Sequence, residues 1–271
     1  MAGELSNGER VLDCRGIERS FGGLRALKGV DIHVDRGEIF GLVGPNGSGK
    51  TTMVNVITGF YPPNAGTVML FGENVTRLKP HVIAAKGVAR TFQNLALFRG
   101  MSVLDNILLG RHVHMRPGAL PTLFYWWWAQ REELAHRRVV EEIIDFMQLQ
   151  DIRDEPVEVI PMGLQKRVEL ARALVAQPKL LILDEPMAGM NQEEKEYIAR
   201  FILDARDERK VSILLIEHHM DVVTAICDRI TVLSYGEIIA EGEPRTAIAD
   251  PKVVQAYLGD RAAARHAGVA A

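Results

Sequence analysis

The octapeptide Gly44-Pro45-Asn46-Gly47-Ser48-Gly49-Lys50-Thr51, followed by Thr52, leaves this chain the least freedom in how it can fold. Its spacing, G-x-x-x-x-G-K-[ST], needs a strand to deliver it and a helix to leave from it. The glycines turn successive backbone N–H groups toward a polyphosphate, the lysine reaches the terminal oxygens, and the last hydroxyl can ligate Mg²⁺. Both flanks fit. Residues 38–43 (Glu-Ile-Phe-Gly-Leu-Val) read as a buried strand, and Met53, Val54, Val56 and Ile57 recur at helical spacing before Gly59. The helix then directs its positive N-terminal end at the phosphates. Residues Gly44 to Thr52 are expected to hold a nucleoside triphosphate, ATP or GTP, with Mg²⁺ on Thr51.

With 271 residues, 47% of them hydrophobic, the chain can build one large domain or two small ones around a substantial core. A net charge of -3 without a strongly basic block argues against broad nucleic-acid binding. Cys14 and Cys227 are too few and too scattered for a disulfide framework or a zinc site, so they read as core thiols of a reducing compartment. The first ten residues are polar and acidic, unlike a signal peptide, and no apolar run approaches the roughly 20 residues of a membrane span. The expectation is a soluble, cytoplasmic protein.

Short strand-like runs fill the first third, at residues 11–14, 30–34 and 67–71, with Asn64-Ala65-Gly66 as a turn. From about residue 102 to 176 the pattern turns helical. Ile143, Ile144, Phe146 and Met147 form one stripe, and Val168, Leu170, Ala171, Leu174 and Val175 another. Alternation resumes with a strand at 180–183, a helix over Gln192–Arg209 and a strand at Ser212–Ile216, which implies a mostly parallel sheet. Asn191 and Glu194 form a capping box, and Tyr197, Ile198, Phe201, Ile202 and Ala205 form the buried stripe of that helix. Residues 229–233 and 237–241 around Tyr235-Gly236 read as a closing hairpin, and 261–271 as a frayed tail.

Leu180-Leu181-Ile182-Leu183-Asp184-Glu185-Pro186 is an apolar strand delivering two carboxylates. Asp184 suits the Mg²⁺ shell, and Glu185 suits orienting and polarising an attacking water. With these motifs in place, the chain from about residue 11 to 259 resembles an ATP-binding-cassette ATPase. The resemblance implies further roles. Gln93, in Ala-Arg-Thr-Phe-Gln-Asn, matches the Q-loop glutamine that touches metal and water. His218 matches the switch histidine on the γ-phosphate. Ala188-Gly189-Met190-Asn191 matches the D-loop that crosses to a second subunit, and Phe21 sits where an aromatic ring stacks on adenine, with a core phenylalanine as the alternative.

One segment departs from the family. Its signature Leu-Ser-Gly-Gly-Gln is replaced by Ile160-Pro161-Met162-Gly163-Leu164, although the downstream helix matches. In the family this loop presents a serine hydroxyl and backbone N–H groups to the γ-phosphate held by the other subunit. Pro161 has neither hydroxyl nor N–H, which leaves the N–H groups of Met162 and Gly163 and the helix dipole. The resemblance therefore implies a slower or partner-dependent ATPase, with a weakly catalytic regulatory cassette as the alternative.

Within the family the chain resembles the ATP-binding subunits of branched-chain amino acid importers, through Arg90-Thr91-Phe92-Gln93, residues 97–107, Ile216-Glu217-His218-His219-Met220 and the ending Ala256-Tyr257-Leu258-Gly259. Lipopolysaccharide exporters share parts of these, so a lipid-type exporter is the second reading. The implied fold is α/β: a P-loop NTPase parallel-sheet core with a flanking antiparallel β layer and an inserted helical subdomain. It forms one domain over 10–258, with the core at about 10–98 and 178–258, the helical subdomain at about 99–177, and a flexible tail at 259–271. The implied partners are transmembrane permease subunits, a second cassette subunit of the same or related chain, and, indirectly, a periplasmic or extracellular solute-binding protein; no nucleic acid is implied. The chain would work from the inner face of the cell membrane. Trp126, Trp127 and Trp128 gather every tryptophan into the helical insert, where core packing competes with interface burial or contact with the membrane surface as the explanation.

Overall fold

The computed structural model describes residues 9–91, 95–111 and 137–258; Gln93, the tryptophan run and the tail from residue 259 lie outside the described residues. The elements are β1 (Arg10–Phe21), β2 (Leu24–Asp35), β3 (Ile39–Val43), α1 (Lys50–Ile57), β4 (Ala65–Leu70), β5 (Glu73–Asn74), α2 (Pro80–Ala85), β6 (Val88–Arg90) and α3 (Val103–Leu109). They continue with helical residues 137–146 (α4), then α5 (Met162–Leu174), β7 (Leu180–Asp184), α6 (Gln192–Arg209), β8 (Ser212–Ile216) and α7 (Met220–Ile226). The chain closes with β9 (Arg229–Ser234), β10 (Glu237–Gly242), α8 (Pro244–Ile248) and helical residues 251–258 (α9).

Two sheets form, as the α/β reading requires. The six-stranded sheet runs β10-β9-β3-β8-β7-β6, with β9, β3, β8, β7 and β6 parallel and β10 antiparallel at one edge. The four-stranded sheet, β2-β1-β4-β5, is antiparallel throughout. Parallel strands covered on both faces read as unbroken apolar runs, and β3, β7 and β8 are buried at every position. Their alternating side chains feed two cores. Phe40, Leu42, Leu180, Ile182, Leu214 and Ile216 join α1 and the antiparallel layer. Ile39, Val43, Leu181, Leu183, Ile213 and Leu215 join α3 to α7.

The helical stripes at 143–147 and 168–175 lie in this second core, with Phe146 packed at its margin. In α6 the stripe is narrower than its sequence suggests. Ile198, Phe201, Ile202 and Ala205 are buried, whereas Tyr197 is 49% exposed, because it stands one 100° step outside the face that meets the sheet. Both hydrogen bonds of the Asn191/Glu194 capping box form. Ala65 and Gly66 already belong to β4, so the turn before it ends at Asn64. Six short elements, β5, α2, β6, α7, α8 and α9, add to the sequence reading; β6 is the sixth strand of the central sheet. Both cysteines are buried and unpaired, and burial pushes their thiols well above the ordinary range, as befits core packing rather than chemistry.

Candidate nucleotide site

In a parallel sheet the carboxyl ends of the strands lie along one edge, and a ligand site forms there. Here that edge collects the loop after β3 (Gly44 to Gly49), the acids at the end of β7 (Asp184, Glu185), the glutamate and two histidines after β8 (Glu217, His218, His219) and Arg90 at the end of β6. The sequence order is scattered, and the parallel register Asp184↔Ile216 is what brings the β7 and β8 groups together.

The loop after β3 has the backbone that a phosphate cradle needs. Gly44, Gly47 and Gly49 take φ values of 149°, 74° and 112°, which side-chain-bearing residues rarely adopt. A Cβ at Gly44 would collide with the Leu233 carbonyl oxygen, and one at Gly49 would sit 2.8 Å from the Ala26 carbonyl oxygen. Lys50 opens α1, is 6% exposed, and its Nζ donates to the carbonyls of Gly44 (2.6 Å) and Pro45 (2.9 Å), so its charge lies inside the loop. Ser48, 2% exposed, keeps a buried hydroxyl with no hydrogen-bond partner among the described residues. A buried hydroxyl left unsatisfied costs about 1–3 kcal/mol, and a polyphosphate oxygen in the cradle would satisfy it. Thr51, exposed on the first turn of α1, and buried Asp184 carry side-chain oxygens of the kind that could ligate Mg²⁺.

Asp184 is 2% exposed and its Oδ2 is held by the Arg90 guanidinium at 2.8 Å, while the same guanidinium donates to Asn55 Oδ1 at 2.7 Å on α1. From the sequence alone Arg90 has no role of its own. Nothing in a three-residue strand predicts which carboxylate its arginine will meet. Glu185 has φ of +50° and its N–H donates to the Ile216 carbonyl at 2.9 Å. A left-handed non-glycine residue costs about 1–3 kcal/mol, and here the bend swings the carboxylate out of the strand alternation to 3.8 Å from His218 Nδ1. Glu185 and His218 are therefore brought together at the open edge of the site, His218 with its side chain 45% exposed.

The helix α5 begins at Met162, with Pro161 as N-cap and no side-chain cap. The loop is closed from behind: Gln165 donates through its backbone N–H to the Pro161 carbonyl (3.0 Å) and through Nε2 to the Ile160 carbonyl (2.9 Å). A Cβ at Gly163 would fall 2.5 Å from Glu194 Oε1, and one at Gly189 would fall 3.3 Å from Met162 Sδ. The α5 N-terminus thus nests against the loop and cap that open α6. Met162 itself is 53% exposed. Phe21, at the end of β1, is 39% exposed, which is not the burial of a core ring. Its ring makes an edge contact with Tyr61 (centroids 5.2 Å apart), and the Arg19 guanidinium stands 4.7 Å over it. Tyr61 had no sequence signal, because it follows α1 and meets Phe21 only through the fold.

Comparison with known proteins agrees with this geometry. Residues 27–188 match the family described as ABC transporter, and residues 237–263 match the one described as branched-chain amino acid ATP-binding cassette transporter. The chain is 38% identical to the high-affinity branched-chain amino acid transport ATP-binding protein BraF of Pseudomonas aeruginosa over 92% of its own length and 98% of that protein. It is also 38% identical, with the same coverage, to LivG of Escherichia coli, which carries the same description. Among solved structures it resembles a nucleotide-free ATP-binding cassette from an ABC transporter (TM-score 0.79, 35% identity, 92% of this chain and 98% of that one). It resembles another such cassette in its ADP conformation (TM-score 0.80, 35% identity, 92% and 99%). On its matched motif region, its sheet order and the cradle at Gly44 to Lys50, the chain belongs to the ABC transporter family of ATP-binding cassettes.

Proposed function

We propose that this chain is the ATP-hydrolysing subunit of an importer for branched-chain amino acids. The observation that carries it is the meeting of Glu185 and His218, 3.8 Å apart, at the sheet edge that also holds the Gly44–Lys50 cradle. Gly44, Pro45, Asn46, Gly47, Ser48, Gly49, Lys50, Thr51 and Thr52 bind the triphosphate of ATP. Thr51 and Asp184, with Gln93, hold Mg²⁺, which when bound offsets the phosphate charge. Glu185 orients and polarises the attacking water and His218 faces the γ-phosphate. Phe21, with Tyr61 beside it, takes the adenine end.

A second copy, or a related cassette, completes the site by bringing its Met162 and Gly163 N–H groups to the phosphate. ATP favours the closed pair and hydrolysis releases it, so the chemistry shifts a conformational population in attached permease subunits. A groove of about 1070 Å³ lined by Phe60, His81, Arg90, Phe98, Glu169 and Arg172 supports a docking surface for those subunits. Among the described residues no helix is long and apolar enough to cross a membrane; in this reading the chain sits at the inner face of the membrane through such partners. The names of BraF and LivG, together with the match at residues 237–263, support branched-chain amino acids as cargo, delivered by a solute-binding protein. The test is to co-purify the chain with its permease subunits, reconstitute them with the binding protein, and measure uptake of labelled leucine and of a lipid. ATP-dependent leucine uptake is expected; ATP-dependent lipid movement without leucine uptake would overturn the cargo assignment.

The signature loop yields a separate prediction. Pro161→Ser with Leu164→Gln restores a hydroxyl at the α5 N-cap, where serine stabilises a helix by about 1 kcal/mol. A hydrogen bond to a charged group contributes about 1.5–3 kcal/mol, so steady-state phosphate release should rise roughly ten- to a hundredfold. A folded double variant that is slower than the parent would show that the loop has been rebuilt around Pro161 and does not approach phosphate.

A further inference from the structure

We propose that Glu217 is a positioning residue that aligns His218 with Glu185 and ties that alignment to the loop leading into residues 188–191; the proposal rests on the roles given above to Glu185 and His218. Glu217 follows β8 directly and is 0% exposed. A carboxylate is stable at such a place only if donors surround it. It has three, from two different loops. Oε1 accepts from the Met187 N–H (3.1 Å), in the turn that follows Glu185, and Oε2 accepts from the His218 N–H (3.2 Å) and from His219 Nδ1 (2.9 Å).

The consequence for His218 follows from geometry. A carboxylate only accepts, so His219 carries its proton on Nδ1 at this contact, and its ring plane is fixed. The His219 ring in turn stacks on the His218 ring, with centroids 4.2 Å apart and planes 35° from parallel. At 3.8 Å the contact between His218 and Glu185 is too long to fix an imidazole by itself. What orients His218 is thus the stack behind it, and the stack is held by Glu217. Because the other oxygen of Glu217 holds Met187, movement of the loop at residues 188–191 reaches His218 through a single buried carboxylate. A carboxylate that merely joined two loops would affect stability and leave the turnover of folded protein unchanged.

The experiment uses the full chain with Mg-ATP, measuring kcat, KM and melting temperature for Glu217→Gln, His219→Asn and His218→Ala. Glu217→Gln keeps volume but sets an NH₂ donor against N–H donors, and kcat should fall about tenfold or more with KM for ATP within about twofold. His219→Asn keeps a donor for Glu217 but has no ring to stack; kcat should fall at unchanged melting temperature, so this variant decides the matter if Glu217→Gln does not fold. Long-range ¹H–¹⁵N spectra of the parent should show His219 protonated on Nδ1, and the His218 ring signals should move in His219→Asn. A slow His218→Ala beside Glu217→Gln and His219→Asn with parental kcat would overturn the proposal alone. Parental turnover in His218→Ala would instead remove the role of His218, and the proposal with it.

Discussion

Glu185→Gln is expected to bind ATP as tightly as the parent and to hydrolyse it about 10²–10⁴ times more slowly, the usual contribution of a positioned general base. The amide keeps the shape of the side chain, so the left-handed backbone at residue 185 (φ +50°) and the bond from its N–H to the Ile216 carbonyl persist. What is lost is the negative charge proposed above to polarise water, on a carboxylate 3.8 Å from His218. Melting temperature should therefore stay near that of the parent, and phosphate release under saturating Mg-ATP is the measurement. Turnover at the parental rate would remove Glu185 from its assigned role.

Lys50→Ala should act earlier, on binding. The Lys50 ammonium is 6% exposed and holds the Gly44 and Pro45 carbonyls at 2.6 Å and 2.9 Å, so it shapes the loop as well as charging it. Each hydrogen bond to a charged group contributes about 1.5–3 kcal/mol, and loss of the contact proposed with the β- and γ-phosphates should weaken ATP affinity at least roughly tenfold. Two loop carbonyls also lose their donor, so a lower melting temperature is expected alongside, whereas Glu185→Gln leaves it unchanged. Titration of a fluorescent ATP analogue separates the two variants: one binds and stalls, the other fails to bind. Equal affinity in Lys50→Ala and the parent would contradict the assignment of the cradle.

These two residues were legible in the sequence because their neighbours are local. The cradle is a contiguous octapeptide, and β3, β7 and β8 announce themselves as apolar runs since both faces of each strand are buried. The Asn191/Glu194 cap was legible for the same reason, being a contact across three residues. By contrast β6 has three residues and is defined by its pairing of Val88 with Leu180, so no local period marks it. The partners of the site are long-range too: Arg90 on Asp184, Tyr61 on Phe21, and Glu217 on Met187 are juxtapositions that only the register of β6, β7 and β8 and the packing of α1 create. Phe21 shows the limit most clearly. The family resemblance singles it out, but nothing local announces the Arg19 guanidinium over its ring.

The central claim is that ATP joins the cradle of one cassette to the α5 N-terminus of another. It is tested most directly by the mass of Glu185→Gln in solution, measured by light scattering with and without Mg-ATP. The account predicts a particle of one 30.1 kDa chain without nucleotide and of two chains with it, and reversion to one chain when Lys50→Ala is added. A single-chain particle at saturating Mg-ATP, from a variant shown to bind the nucleotide, would contradict it.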